Sequence, residues 1–169
     1  MLAEGGVVCS PDSGHNAGAR GPYPPGVDAR EIIDRLGLRP HPEGGWYAET
    51  WRADAAPGER PVGSAIYFLL QADELSRWHR VDAAEAWHFY AGHPLELKIT
   101  QAGSPAETHV LGIDLAAGQR PQAIVPAGAW QTARPLGEWT LVGCTVSPAF
   151  DFDRFALAPE DWQPTNLEG

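Results

Sequence analysis

The sequence has little of what marks a membrane-bound, secreted or nucleic-acid-binding chain. It has only two cysteines, Cys9 and Cys144, and no apolar run approaches the roughly 20 residues that span a bilayer. Basic residues are also few, because 12 lysines and arginines stand against 22 acidic residues, for a formal net charge of −10. A negative field of this size repels phosphate backbones and anionic lipid surfaces. We therefore expect a cytoplasmic protein in a reducing compartment, with neither nucleic acid nor membrane as a partner.

Turn-forming residues, in contrast, are abundant. The chain has 19 glycines and 16 prolines, a frequency that favours many short strands and turns over long helices. Residues 1–27 are rich in Gly, Pro, Ala and Ser and show no hydrophobic periodicity. We predict that residues 1–27 form a disordered tail and that residues 28–165 form one domain.

One helix is predicted at the start of this domain. Asp28 can cap its N-terminus, and Glu31 three residues later completes a capping-box pattern. Ile32 and Leu36 then lie on one apolar stripe. Gly37 follows as a C-terminal cap, so the helix is expected to be short.

The rest of the domain has the pattern of an all-β protein. Short segments rich in apolar, aromatic and β-branched residues alternate with turns that contain glycine or proline, which favours an antiparallel barrel or sandwich. A final segment, 148–162, alternates phenylalanines with acids and is predicted to be an edge strand or coil. The predicted strands are 45–51, 64–70, 85–90, 95–100, 108–113, 122–125, 129–133 and 140–147.

Three polar residues in or next to these strands are candidates for chemistry. His79 and Glu85 lie at the end of one strand and the start of the next, so that pairing of the two strands brings both side chains into one interior. An imidazole beside a carboxylate can act as a general base or bind a divalent metal. Gln131 follows a Pro-x-Gly turn, and its amide can bind a ligand or act as a weak metal ligand.

Other residues are candidates for substrate binding. Tyr47 and Glu49 share one face of the first strand, and a phenol from Tyr47 or Tyr67 can donate a proton opposite His79. His88 lies three positions after Glu85, so strand alternation places it on the opposite face, where a subunit contact is an equal alternative. An aromatic wall, with plain core packing as the alternative for each member, is predicted from Trp78, Trp87 and Trp130.

The stretch around His79 resembles the first motif of the cupin superfamily. His79, Glu85 and Gly92 are in register with the first histidine, the glutamate and the closing glycine of that motif, whereas Val81 occupies the position of its second histidine. The second cupin motif is matched by Pro126 and Gly128, with Gln131 at its histidine position. Two of the usual four metal ligands therefore remain.

A closer resemblance is to the cupin subfamily DUF985, also called cupin type 5. It implies an RmlC-like cupin fold, which is a double-stranded β-helix or jelly-roll barrel, here with one short N-terminal helix. It also implies a homodimer. The stretches that carry the resemblance, starting from the His-Pro-Glu-Gly-Gly opening, are 41–50, 64–70, 79–92, 125–131 and 142–150.

Two functions of different classes follow from these residues. The first is an isomerase or epimerase that moves a proton next to a carbonyl of a small molecule, with His79 as the base and Glu85 as its orienting group or as a second acid. In a metal-assisted version, His79, Glu85 and Gln131 hold a divalent ion. The alternative is a cupin that binds a small metabolite without converting it.

Overall fold

The computed structural model describes residues 27–101 and 104–164, and this part of the chain is built almost entirely of β-strands. Apart from Val27, the predicted tail lies outside the described residues. A 3-10 helix, Phe152–Arg154, precedes the last strand. The other elements are α1 (Ala29–Leu36), β1 (Arg39–Pro40), β2 (Trp46–Arg52), β3 (Ser64–Gln71), β4 (Ser76–Val81), β5 (Ala84–Gly92), β6 (Leu95–Thr100), β7 (Glu107–Leu111), β8 (Gln122–Val125), β9 (Trp130–Pro135), β10 (Trp139–Ser147) and β11 (Phe155–Leu157).

The predicted helix is present and ends where expected. The Asp28 carboxylate accepts a hydrogen bond of 2.7 Å from the backbone N–H of Glu31, and Gly37 ends the helix in the left-handed conformation at φ 62°. The capping box is only half formed, because the Glu31 carboxylate accepts from Arg35 one turn later at 2.8 Å. The Glu31 side chain thus forms an ion pair with Arg35 within the helix instead of the second hydrogen bond of a capping box.

The strands form two antiparallel sheets. One sheet has the order β1-β2-β3-β10-β5-β8, and the other has the order β11-β4-β9-β6-β7. Strands that are distant in sequence are neighbours in space, with β10 lying between β3 and β5. This alternation of the chain between two sheets is the jelly-roll arrangement that the resemblance implied.

The main core lies between the two sheets. Phe68 and Trp87 come from the first sheet and meet edge to face, with ring centroids 5.8 Å apart. Leu95 and Leu97 come from the second sheet and are fully buried in the same cluster. A smaller cluster joins α1, through Ile32, to the other face of the first sheet. The helix therefore covers the outer face of that sheet and leaves its inner face to the core and the cavity.

A strand ending at His79 was predicted for the site, but its bounds were not among those of the predicted strands, and β4 continues to Val81. Its sequence, Ser-Arg-Trp-His-Arg-Val, contains two arginines and does not read as an apolar run. Ser76, His79 and Val81 are nevertheless buried, and a bulge separates Ser76 from His79 where β4 pairs with β9. The bulge breaks the simple alternation on which strand prediction depends.

The C-terminal segment is confirmed as an edge element. Its last strand, β11, pairs with β4 at the edge of the second sheet and places Leu157 opposite His79. No helix within 27–101 and 104–164 is long and apolar enough to cross a membrane.

Gly92, the last residue of β5, lies where β5 and β10 approach each other closely. Gly92 has φ 88°, and a Cβ at this position would overlap the backbone oxygen of Trp139. We expect Gly92→Ala to lower the free energy of unfolding by about 3 kcal/mol, since left-handed strain and overpacking add. Chemical denaturation with Gly58→Ala as control gives the measurement.

Gly58 makes a matched control because its φ is 83° and nothing lies within 4 Å of an added Cβ. Its substitution is expected to cost only the strain, about 1 kcal/mol. Equal losses for the two variants would contradict the close approach at Gly92.

Candidate functional site

A cavity of about 250 Å³ opens between the sheets next to the C-terminal segment. Its wall combines buried ionisable side chains with apolar and aromatic ones. The lining residues are Arg39, His41, Glu43, Tyr47, Glu49, Arg52, Ser64, Ile66, His79, Val81, Glu85, Cys144, Val146, Phe150 and Phe152.

His79 on β4 is held in one tautomer. Only 2% of the residue is exposed, and its Nδ1 lies 2.8 Å from the backbone carbonyl of Arg77. A carbonyl oxygen only accepts, so Nδ1 carries the proton and Nε2 keeps its lone pair. Burial lowers the pKa of His79, partly offset by Glu85 and the Arg77 carbonyl, and so favours the neutral ring. Nε2 lies 3.4 Å from Oε2 of Glu43.

Glu43 comes from the turn before β2 and is buried beside two imidazoles. Its Oε2 lies 3.4 Å from Nδ1 of His41 as well as 3.4 Å from Nε2 of His79. Its Oε1 accepts a hydrogen bond of 2.8 Å from the hydroxyl of Ser76. Burial raises the pKa of Glu43 to about 8, against the opposing effects of Ser76 and Arg77. At pH 7 this carboxyl group is therefore mainly protonated and can donate a proton.

Glu85 is positioned by a relay of hydrogen bonds behind the cavity. The Trp87 indole N–H donates to Oε1 of Gln131 at 2.9 Å, and Nε2 of Gln131 donates to Oε2 of Glu85. An indole can only donate, so it fixes which end of the Gln131 amide faces Glu85. Burial raises the pKa of Glu85, while His79 and the Gln131 hydrogen bond lower it in part.

His41 and Cys144 complete the buried ionisable set. Burial, with a smaller contribution from His79, lowers the pKa of His41 to about 4. The Cys144 thiol is a free, buried group whose pKa is raised well above its usual range by burial and by Glu85 and Glu43. Together with Glu43, Glu85 and His79, these groups favour their uncharged forms near neutral pH. The floor of the cavity thus holds the protonated carboxyl of Glu43 beside two imidazoles whose pKa values are lowered by burial.

The structure brings together part of the predicted site. Tyr47, Glu49, His79 and Glu85 all line the cavity. Glu49 is at the more exposed part of the wall, where its carboxylate accepts from Arg52.

Six other predicted residues do not line this cavity. Trp87 is buried in the core and Gln131 lies behind Glu85, so both support the site from outside its lining. His88 is on the other face of β5, as alternation required, with Nδ1 3.1 Å from Nε2 of Gln122. Tyr67 packs edge to face on Tyr90, and Trp78 packs on Trp162. None of the three tryptophans of the predicted aromatic wall lines this cavity, and Trp130 contacts Trp162.

Glu43 and His41 were not predicted as site residues. Both belong to the His-Pro-Glu-Gly-Gly opening, which was used only as a mark of resemblance. The available signal was a glutamate in a glycine-rich turn directly before an aromatic strand. Such a turn reaches the interior only because it folds back against β4, where the backbone N–H of Arg77 donates to the Glu43 carbonyl at 2.9 Å.

Gln131, one of the three predicted metal ligands, is not placed to hold a metal ion. Oε1 of Gln131, the atom that would ligate an ion, accepts from Trp87, and Nε2 points at Glu85. Within the described ranges, no group of three or more histidine, cysteine, aspartate and glutamate side chains is arranged to hold a metal ion. No step of the chemistry below is therefore routed through a metal.

The family is decided by a match over most of the domain. The model of the cupin superfamily family DUF985 matches residues 30–158. The chain belongs to this family. The resemblance drawn from the five sequence stretches is thereby confirmed, together with the all-β cupin fold.

Solved structures agree with this assignment. Protein SO0799 from Shewanella oneidensis is 41% identical, with a TM-score of 0.75 over 78% of this chain and 85% of that one. A hypothetical protein from Leishmania major is 31% identical, with a TM-score of 0.70 over 77% and 86%. Oxalate decarboxylase from Bacillus subtilis is 12% identical, with a TM-score of 0.55 over 70% of this chain and 29% of that one, and shares the fold alone. No curated protein matches the chain.

The buried carboxyl of Glu43 predicts a particular dependence of stability on pH. Its pKa is about 8 in the folded state against an ordinary value of 4.5, so between these values folding takes up a proton. Stability from this group is complete at low pH and is lost as pH rises toward 8. From pH 6.5 to 7.5, we expect the protein to lose about 1 kcal/mol of unfolding free energy relative to Glu43→Gln.

Denaturant titrations at the two pH values give this difference directly. Glu59→Gln removes an exposed carboxylate and is the matched control, which should follow the unsubstituted protein. The same pH slope in Glu43→Gln as in the unsubstituted protein would mean that Glu43 ionises normally in the folded state.

Proposed function

We propose that this cupin is a small-molecule enzyme of the isomerase or epimerase type, which moves a proton on a carbon next to a carbonyl group. The observation that carries the proposal is the pair formed by His79 and Glu43. Nε2 of the buried His79 ring, which carries no proton, lies 3.4 Å from Oε2 of Glu43, and the pKa of the Glu43 carboxyl group is about 8. Base and acid are thus both in the required protonation state near neutral pH.

The pair supports a balanced transfer of protons. Nε2 of His79 takes the proton from the substrate carbon, and the carboxyl of Glu43 gives its proton to the carbonyl oxygen, which leaves a neutral enol. The resulting imidazolium and carboxylate lie next to each other and stabilise each other's charge. In an isomerisation, His79 gives its proton to the neighbouring carbon while Glu43 takes the proton of a hydroxyl group on the first carbon, which restores both residues. In an epimerisation, a second acid protonates the same carbon from the opposite face while Glu43 takes back the enol proton. Exchange with water then removes the proton from His79 and returns one to the second acid.

The surroundings of the pair suit this chemistry. The Arg77 carbonyl keeps the proton of His79 on Nδ1, so that Nε2 is the base in every cycle. The hydroxyl of Ser76 holds one oxygen of Glu43, which leaves Oε2 toward the imidazoles. Tyr47 and Glu85 also line the cavity, and either is a candidate for the second acid that an epimerisation requires.

The first test is a thermal-shift screen of small metabolites, with each stabilising compound then incubated in D₂O and analysed by mass spectrometry. We expect a stabilising carbonyl compound to gain deuterium and to yield an isomer. Stabilisation with neither deuterium uptake nor product would reject the proposal in favour of a cupin that only binds a metabolite.

The residue test uses His79→Gln and Glu43→Gln against His88→Gln, whose ring lies on the opposite face of β5. Loss of the base should abolish turnover, and loss of the acid should lower kcat by a factor on the order of 10² to 10⁴. His88→Gln should keep full activity. Full turnover in a folded His79→Gln variant would rule out the proton-transfer role.

A further inference from the structure

A second set of charges lies in the more exposed part of the cavity wall. Arg39 on β1 and Arg52 at the end of β2 both line the cavity. Arg52 is neutralised, because its guanidinium donates to both carboxylate oxygens of Glu49, at 3.1 and 2.6 Å, and to the Phe150 carbonyl at 3.1 Å. The Arg52 guanidinium is therefore already paired within the protein.

Arg39 is in a different position. Among residues 27–101 and 104–164, no carboxylate forms an ion pair with it and no acceptor takes a hydrogen bond from it. Antiparallel pairing of β1 with β2 places it opposite Tyr47, and its guanidinium lies 4.9 Å from the centre of the Tyr47 ring. The ring holds the side chain against the wall while its N–H donors remain available.

An available guanidinium in this cavity is selective for one kind of ligand. The chain has a formal net charge of −10, so an arginine without a carboxylate partner is not explained by a shortage of acids. Nearby, the Glu49 carboxylate is matched by Arg52. Burial raises the pKa values of Glu43 and Glu85 on the floor of the cavity, which weakens their repulsion of an anion. Arg39 is therefore the uncompensated charge of the wall, and its fork fits a carboxylate.

The size of the cavity limits the ligand. A volume of about 250 Å³ is close to the lower end of the roughly 300–1,000 Å³ that is usual for small-molecule pockets, which suits a small metabolite. The acid–base pair then requires a carbonyl-bearing carbon near His79, and Arg39 requires an anionic group at the other part of the wall.

We infer that the substrate is a small organic acid, whose carboxylate binds the guanidinium of Arg39 over the Tyr47 ring while its carbonyl end lies against His79 and Glu43. This inference rests on the proposed function for the reacting end of the molecule, and on Arg39 alone for the anionic end. The two ends can therefore be tested separately.

The test is an NMR titration of the full chain with acetate and pyruvate, and with acetamide and pyruvamide as uncharged analogues of similar shape. Backbone amide signals of His41 and Tyr47 report on the site. We expect saturable shifts with the two acids and none with the amides. Arg39→Gln should weaken acid binding by a factor on the order of ten, since a charge-assisted pair is lost, and Arg39→Lys should retain part of it.

The control variant is Arg80→Gln. Arg80 is also an exposed arginine held 4.9 Å from an aromatic ring, that of Trp130, but it does not line the cavity. Its loss should leave the titration unchanged. Equal shifts with acids and amides, or saturable acid binding that survives unweakened in Arg39→Gln, would overturn the inference.

The two proposals fail in different ways. A saturable acid site in a protein that exchanges no deuterium into any ligand would reject proton transfer and leave the acid site in place. Turnover that depends on His79 but acts equally on acids and their amides would reject the acid site and leave the proton-transfer proposal in place.

Discussion

The interaction on which the site depends is the contact of the Glu43 carboxyl with two imidazoles inside the fold. A charged carboxylate in this position would need a compensating positive charge, and burial makes that charge costly on His41 and His79 as well. The lower-energy arrangement has a protonated acid beside neutral rings. Reactivity follows from the same arrangement, because an acid that keeps its proton at pH 7 can give it away there.

The fold supplies this environment from elements far apart in sequence. His79 lies on β4 in one sheet, Glu85 lies on β5 in the other, and the Glu43 turn bonds to the backbone of β4. Each polar group that faces inward is held by a neighbour: Ser76 for Glu43, the Arg77 carbonyl for His79, and Gln131 for Glu85. Such satisfaction of buried polar groups is what permits a polar cavity in an otherwise apolar core.

Much of the architecture could be predicted from the sequence because its strands carry the expected pattern. The segment 140–147 was nearly the whole of β10, and the Asp28 and Gly37 caps fixed the helix. The bounds of strand β4 could not be predicted, because its two arginines and its bulge interrupt the apolar alternation around the buried Ser76 and His79. In the site, His79 and Glu85 carry the family motif, but Glu43 becomes buried only through tertiary contact with β4. The Gln131 amide entered as a ligand candidate because sequence cannot tell which partner an amide has.

The position of β11 also determines where the chain can be shortened or joined to a fusion partner. Leu157 on β11 is paired with His79 itself, and the Phe155 ring lies 5.5 Å from the imidazole. The strand that covers His79 on the outer side of β4 is therefore β11. It lies within a few residues of position 158, where the family match stops. A shortened version that ends before Phe155 would expose the edge of β4, whereas a fusion joined after Pro164 leaves that edge covered.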